Sequence, residues 1–196
     1  MHKDISMKNL ILVIGRSGSG KDTLVRYAQS VFGARAIPSY TDRPIRPTET
    51  EGVEHTFLTK DQFTSLLENE RVFAYTRIGE VGYRYCTTVE MLESLDAETV
   101  FYVIDPAGYY FCQRYKDSFN TKVIYVCASK ALREARANAR NGDSTSWLKR
   151  SADEDAQFTE FEKMMPWDAL VENDGSVEDA QVKFVETVRS LLEKEK

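Results

Sequence analysis

The sequence predicts a three-layer α/β/α fold around a central parallel sheet, interrupted by an inserted lobe and a mobile lid. Three observations carry that prediction. Four apolar runs suited to buried parallel strands are each followed within a few residues by helix-like periodicity. The first run leads directly into Gly15-Arg16-Ser17-Gly18-Ser19-Gly20-Lys21 and then into an amphipathic pattern. Between the first helix pattern and the run at Thr99, the alternation gives way to prolines and short β pieces.

The strands are expected at Leu10–Ile14, Thr99–Ile104, Thr121–Cys127 and Ala169–Glu172. The helices are expected at Lys21–Phe32, Pro106–Tyr115, Lys130–Asn141, Ser146–Met164 and Val177–Lys194, with Ser129 and Ser176 as N-caps. In the intervening stretch Pro38, Pro44 and Pro47 favour extended backbone. Thr59-Lys60-Asp61-Gln62 has the form of a capping box, and Val72–Arg77 and Gly82–Cys86 suit short strands. The polar segment Asn141-Gly142-Asp143-Ser144-Thr145 divides an arginine-bearing helical pair, as a lid would require. These readings give one domain over 1–196: a core (8–37, 97–130 and 165–196), a lobe (38–96) and a lid (131–164).

The glycine-rich segment is a P-loop in its proper setting of strand, GxxxxGK and helix. Its glycines let successive N–H groups and a helix N-terminus converge where a nucleotide phosphate can sit. Gly15, Ser17, Gly18, Ser19 and Gly20 form the cradle, and Lys21 brings a point charge to the β- and γ-phosphates. The position after the lysine, commonly a Ser or Thr that ligates Mg²⁺, is Asp22, with Thr23 behind it. A carboxylate beside phosphates repels them unless a cation lies between, so Asp22 and Thr23 are the candidate Mg²⁺ ligands.

The lobe concentrates Ser39, Tyr40, Arg43, Arg46, His55, Tyr83 and Tyr85, groups suited to a second phosphorylated substrate. Arg43 and Arg46 flank Pro44 and precede Pro47, so the stiff backbone presents both guanidiniums with little entropy left to lose. A solvated loop would show the same Arg-x-x-Arg spacing, but a transferase with a P-loop needs a second anion site facing the first. In the candidate lid Arg133, Arg136 and Arg140 fall along one helical face, with Arg150 beyond the polar turn. They suit closure over a transferred phosphoryl group, or alternatively a solvated face balanced by Glu134. Asp105 ends a strand at the carboxyl edge of the sheet, where it can hold a base, a hydroxyl or Mg²⁺-bound water, cap the helix at Pro106, or both.

The 196 residues carry a net charge of −5, which argues against a general nucleic-acid or membrane-surface binder while leaving room for local phosphate sites. No apolar run approaches the ~20 residues that span a bilayer, and the start lacks a hydrophobic signal region. Cys86, Cys112 and Cys127 form no CxxC and are odd in number, so reduced thiols and a cytoplasmic setting are expected. His2 and His55 are too few and too far apart for a metal site. A monomer or homodimer is expected.

The order of these motifs resembles the guanylate kinase family over roughly residues 8–192, most specifically from Ser39-Tyr-Thr-Asp-Arg43-Pro-Ile-Arg46-Pro through Glu49 and Gly52 to His55-Thr-Phe57. The resemblance implies an ATP-dependent kinase, with ATP and Mg²⁺ as cofactors and the phosphate of GMP or dGMP as acceptor. It implies that Ser39, Arg43, Arg46, His55 and Tyr83 bind the acceptor nucleotide and that Asp105 lies near its base. It further implies that Arg136, Arg140 and Arg150 are catalytic lid arginines beside Lys21, and that Asn173, of the pair Asn173-Asp174, lies near the donor adenine. Ala74 stands where the family carries a guanine-reading glutamate, Tyr85 where it carries a serine, and Val103 replaces an acidic residue. Gly-Lys-Asp-Thr, Glu54-His55 and Phe73-Ala74 also resemble ribose 1,5-bisphosphate phosphokinases, which makes a small phosphorylated sugar an alternative acceptor. A non-catalytic guanylate kinase-like protein-binding module is a remoter alternative, since such modules lose the loop glycines and lysine that this chain keeps.

Overall fold

The computed structural model describes residues 8–46, 49–53, 55–79, 81–141 and 144–193, apart from several side chains between 140 and 153. Five parallel strands form the central sheet in the order β2-β7-β1-β8-β9: β1 (Asn9–Ile14), β2 (Arg35–Ala36), β7 (Thr99–Val103), β8 (Asn120–Cys127) and β9 (Ala169–Glu172). Alternation along these strands divides the core in two. Leu10, Leu12, Ile14, Val100, Tyr102, Val123 and Tyr125 face one layer, while Ile11, Val13, Phe101, Ile124 and Val126 face the other.

The second layer is closed by α1 (Lys21–Phe32) and α7 (Val177–Glu193), which contribute Leu24, Val25, Phe184 and Val188. The first is closed by α4 (Pro106–Cys112) and α6 (Ser144–Met164), through Tyr109, Phe158 and Phe161. The helix expected over Pro106–Tyr115 is α-helical only to Cys112 and continues as a 3₁₀ turn over Gln113–Tyr115. α5 spans Lys130–Asn141, and α6 begins at Ser144, two residues earlier than expected. Ser176 caps α7 by accepting from the Asp179 N–H at 3.1 Å. At Ser129 the backbone N–H donates to Asp174 Oδ1.

The inserted segment forms its own four-stranded sheet in the order β4-β3-β6-β5: β3 (Ser39–Thr41), β4 (His55–Phe57), β5 (Val72–Ile78) and β6 (Tyr83–Thr88). α2 (Lys60–Asn69) follows the capping box at Thr59 and Gln62, whose two hydrogen bonds are both made, and α3 (Val89–Ser94) leads back to β7. The register pairs Ser39 with His55, Thr41 with Phe57 and Tyr85, and Thr76 with Tyr85. One face of this sheet therefore carries Ser39, His55, Tyr85 and Thr76 together.

Among the described residues no helix is long and apolar enough to cross a membrane. Cys86 and Cys112 are buried, Cys127 is half-buried, and all three are free thiols.

Candidate active site

The glycine-rich loop lies between β1 and α1 at the carboxyl edge of the parallel sheet. Because Val13 is level with Val103 across the β1–β7 ladder, Asp105 emerges beside the loop, and Asn173 emerges from β9 on the other side. Gly20 occupies the α1 N-cap in the left-handed region (φ +89°), with no side chain supplying a cap, so the first-turn N–H groups remain open to an anion. Gly18 is also left-handed (φ +80°), and a Cβ there would stand 2.9 Å from the Arg133 Cα. At Gly15 a Cβ would meet the Val126 carbonyl and approach Ser19 Oγ to 2.7 Å. That Ser19 hydroxyl is buried and, among the described residues, has no hydrogen-bond partner.

Lys21 opens α1, and its charge favours the ionised form of Asp105. Asp105 caps α4, its Oδ1 accepting from Gly108 N–H at 2.7 Å, while Oδ2 accepts from the Thr76 hydroxyl at 2.7 Å. Of the roles open to Asp105 in the sequence, the helix cap is made, and the second bond joins the core to the lobe. Burial raises its pKa above the ordinary value despite those hydrogen bonds. Asp22 and Thr23 are exposed in the first turn of α1.

On the lobe, Arg43 is buried, with four of its five N–H donors engaged among the described residues. Its Nη1 and Nη2 donate to the two Glu49 oxygens at 2.7 and 2.6 Å, Nη1 also donates to the Pro44 carbonyl, and Nε donates to the Tyr85 hydroxyl at 2.9 Å. Burial works to raise the Glu49 pKa, but hydrogen bonds from Arg43 and the Arg46 N–H bring it down to about 2. Arg46 is half in solvent, with Nη1 3.7 Å from Glu49. His55 Nδ1 is 2.9 Å from Ser39 Oγ, and burial together with the Arg43 charge lowers its pKa below the usual histidine range. Tyr83 opens β6, two residues before Tyr85 on the same face of that strand.

The predicted lid arginines separate. Arg136 reaches Asn173, donating to its backbone carbonyl at 3.1 Å and to Oδ1 at 3.3 Å, and touches the Gly18 carbonyl; Asn173 Nδ2 in turn donates to the Ser19 carbonyl at 2.8 Å. Arg133 does not share a solvated face with it. It is buried over the Trp147 ring, its guanidinium carbon 5.5 Å from the centroid, and Nε donates to the Ala128 carbonyl. Arg140 and Arg150 lie on helical backbone, but their side chains fall outside the described residues, as do residues 142–143 of the polar turn.

The sequence reading missed the acids that meet the P-loop. Arg16 pairs with Glu162 at 2.8 Å and Asp155 at 2.5 Å, and Ser17 donates from both its N–H and its hydroxyl to Glu154. These three acids ride on α6, and their only signal was an acidic helix surface opposite a loop arginine. Thr76 had no motif to announce it, and Glu49 stood only as a letter within the lobe pattern.

A family model described as guanylate kinase matches residues 6–195. A guanylate kinase of Neisseria meningitidis is 31% identical over 171 residues, covering 85% of this chain and 80% of its own length. One from Bacteroides thetaiotaomicron is 28% identical over 191 residues, covering 95% and 91%. The crystal structure of guanylate kinase from Anaplasma phagocytophilum shares the fold, with a TM-score of 0.69 over 94% of this chain and 86% of that one, at 17% identity.

Proposed function

This chain belongs to the guanylate kinase family, and from that premise we propose that it transfers the γ-phosphoryl group of ATP to the phosphate of GMP or dGMP. The observation that carries the reading is the Thr76–Asp105 hydrogen bond. It joins the lobe face bearing Ser39 and His55 to the edge of the sheet where the P-loop opens.

Lys21 and the loop amides hold the donor phosphates, and Arg43, Arg46, His55 and Tyr83 hold the acceptor phosphate. Asn173 stands on the donor side. Arg136, Arg140 and Arg150 serve the transferred group, and Arg136 must first exchange its bonds to Asn173 and Gly18. Transfer proceeds by positioning and electrostatics, without a covalent enzyme intermediate. Closure of the lobe (38–96) and lid (131–164) excludes water from the reacting phosphates.

Among the described residues no cluster of three or more His, Cys, Asp or Glu could cage a metal. The exposed hard oxygens of Asp22 and Thr23 fit Mg²⁺ held chiefly by phosphates and water. When bound, the ion neutralises phosphate charge.

The test is a panel of GMP, dGMP, AMP, UMP and ribose 1,5-bisphosphate with ATP and Mg²⁺, measuring ADP release. GMP and dGMP should turn over fastest. Turnover of the sugar bisphosphate without GMP would overturn the reading.

A further inference from the structure

We infer that Tyr85 is a positioning residue for the acceptor phosphate, holding Arg43 through its hydroxyl and His55 through its ring; this rests on the acceptor-site reading above. β6 is an interior strand, paired with β3 on one side and β5 on the other, so Tyr85 is fixed by two ladders rather than by a loop. Its hydroxyl accepts from Arg43 Nε at 2.9 Å, and its ring meets the His55 ring edge-on at 5.5 Å. His55 is held from its other side by Ser39 Oγ, and Phe57 lies 5.2 Å from the Arg43 guanidinium carbon.

A guanidinium has five N–H donors. In Arg43 one goes to Tyr85, one to Pro44 and two to Glu49, which among the described residues leaves a single N–H on Nη2. Tyr85 and Glu49 grip different edges of the same plane, so the direction of the remaining donor is set before any ligand arrives. A free arginine would lose rotamer freedom on gripping a phosphate; here that loss is taken during folding. The Tyr85 hydroxyl is thereby committed to the phosphate arginine.

The hydroxyl is separable from packing, because Tyr85→Phe keeps the ring against His55. With GMP as acceptor, Tyr85→Phe should raise the KM for GMP about tenfold, as expected for one lost hydrogen bond to a charged group, while the KM for ATP and the melting temperature stay near wild type. In an Arg43→Lys background, where Nε is gone, the same substitution should add less than about twofold. A KM for GMP within twofold of wild type in Tyr85→Phe, or an equal effect in both backgrounds, would overturn the inference. Should the wild type fail to phosphorylate GMP, the functional reading falls, and titration with inorganic phosphate decides this one separately: about tenfold weaker binding in Tyr85→Phe supports it, and unchanged affinity overturns it.

Discussion

Arg43 and Glu49 form a two-pronged ion pair whose side chains are only 5% and 10% exposed, in the part of the lobe proposed to hold the acceptor phosphate. The pair is an internal anion site already filled. Removing one partner strands the other charge out of water, which costs on the order of 3–5 kcal/mol in buried pairs. Glu49→Ala should therefore lower the melting temperature by roughly 10 °C for a chain of this size and raise the KM for GMP while leaving that for ATP unchanged. A variant that melts like wild type would show that the pair holds nothing in place.

The same pair predicts an acid response. Glu49 titrates near 2 in the fold and near its ordinary value when unfolded, so its contribution is complete above about pH 4.5 and is lost as pH falls toward 2. His55, held below its usual range, adds a loss of stability in the same direction as pH drops below about 6.5. Melting curves across this range should fall more steeply for wild type than for Glu49→Gln; parallel curves would contradict the assignment.

Lys21→Ala should reduce transfer by about three orders of magnitude, the scale associated with a lost transition-state charge, with the circular dichroism spectrum unchanged. Lys21 is only half-buried, so preserved activity would mean that the loop does not hold the donor.

Gly18→Ala combines a strained backbone with a collision. The φ of +80° and the nearby Arg133 backbone leave no room for a methyl group, and α5 must shift to admit it. Calorimetry with ATP should show affinity falling at least tenfold, with a lowered melting temperature. Unchanged ATP affinity would refute the close approach of α5 to the loop.

For Asp105→Asn the expected signs diverge. Burial raises the Asp105 pKa, so its charge costs stability at neutral pH, and asparagine can still cap α4 with its Oδ1 while its Nδ2 donates to the Thr76 hydroxyl, which rotates to accept. The variant should melt at the wild-type temperature or above it while kcat/KM for GMP falls about tenfold or more. A large fall in melting temperature would show the carboxylate to be chiefly structural.

The core was legible because its strands are continuous apolar runs and its glycines sit at a fixed spacing. Leu10–Ile14 into Gly15–Lys21 needs no tertiary information to interpret. β2 was missed because two residues, Arg35 and Ala36, carry no periodicity; their place comes from pairing with β7. β3 and β4 were likewise too short to announce themselves, although Ser39 and His55 within them were recognised as site residues by chemical type. What the sequence could not supply was pairing across distance. Asp105 was placed at the sheet edge, but its bond to Thr76 spans 29 residues and depends on how the lobe folds back. Arg133 and Arg136 share a helical spacing, yet one is buried on Trp147 and the other drawn to Asn173, a distinction set by neighbouring elements and not by the period.

The bonds from Ser17 to Glu154 give the donor site a competitor of its own. A triphosphate that takes the Ser17 N–H must displace a carboxylate that is covalently part of the chain and therefore present at a constant effective concentration, whatever the dilution of the protein. Observed donor affinity is then the difference between two anions bidding for one donor: the incoming phosphate and the Glu154 carboxylate.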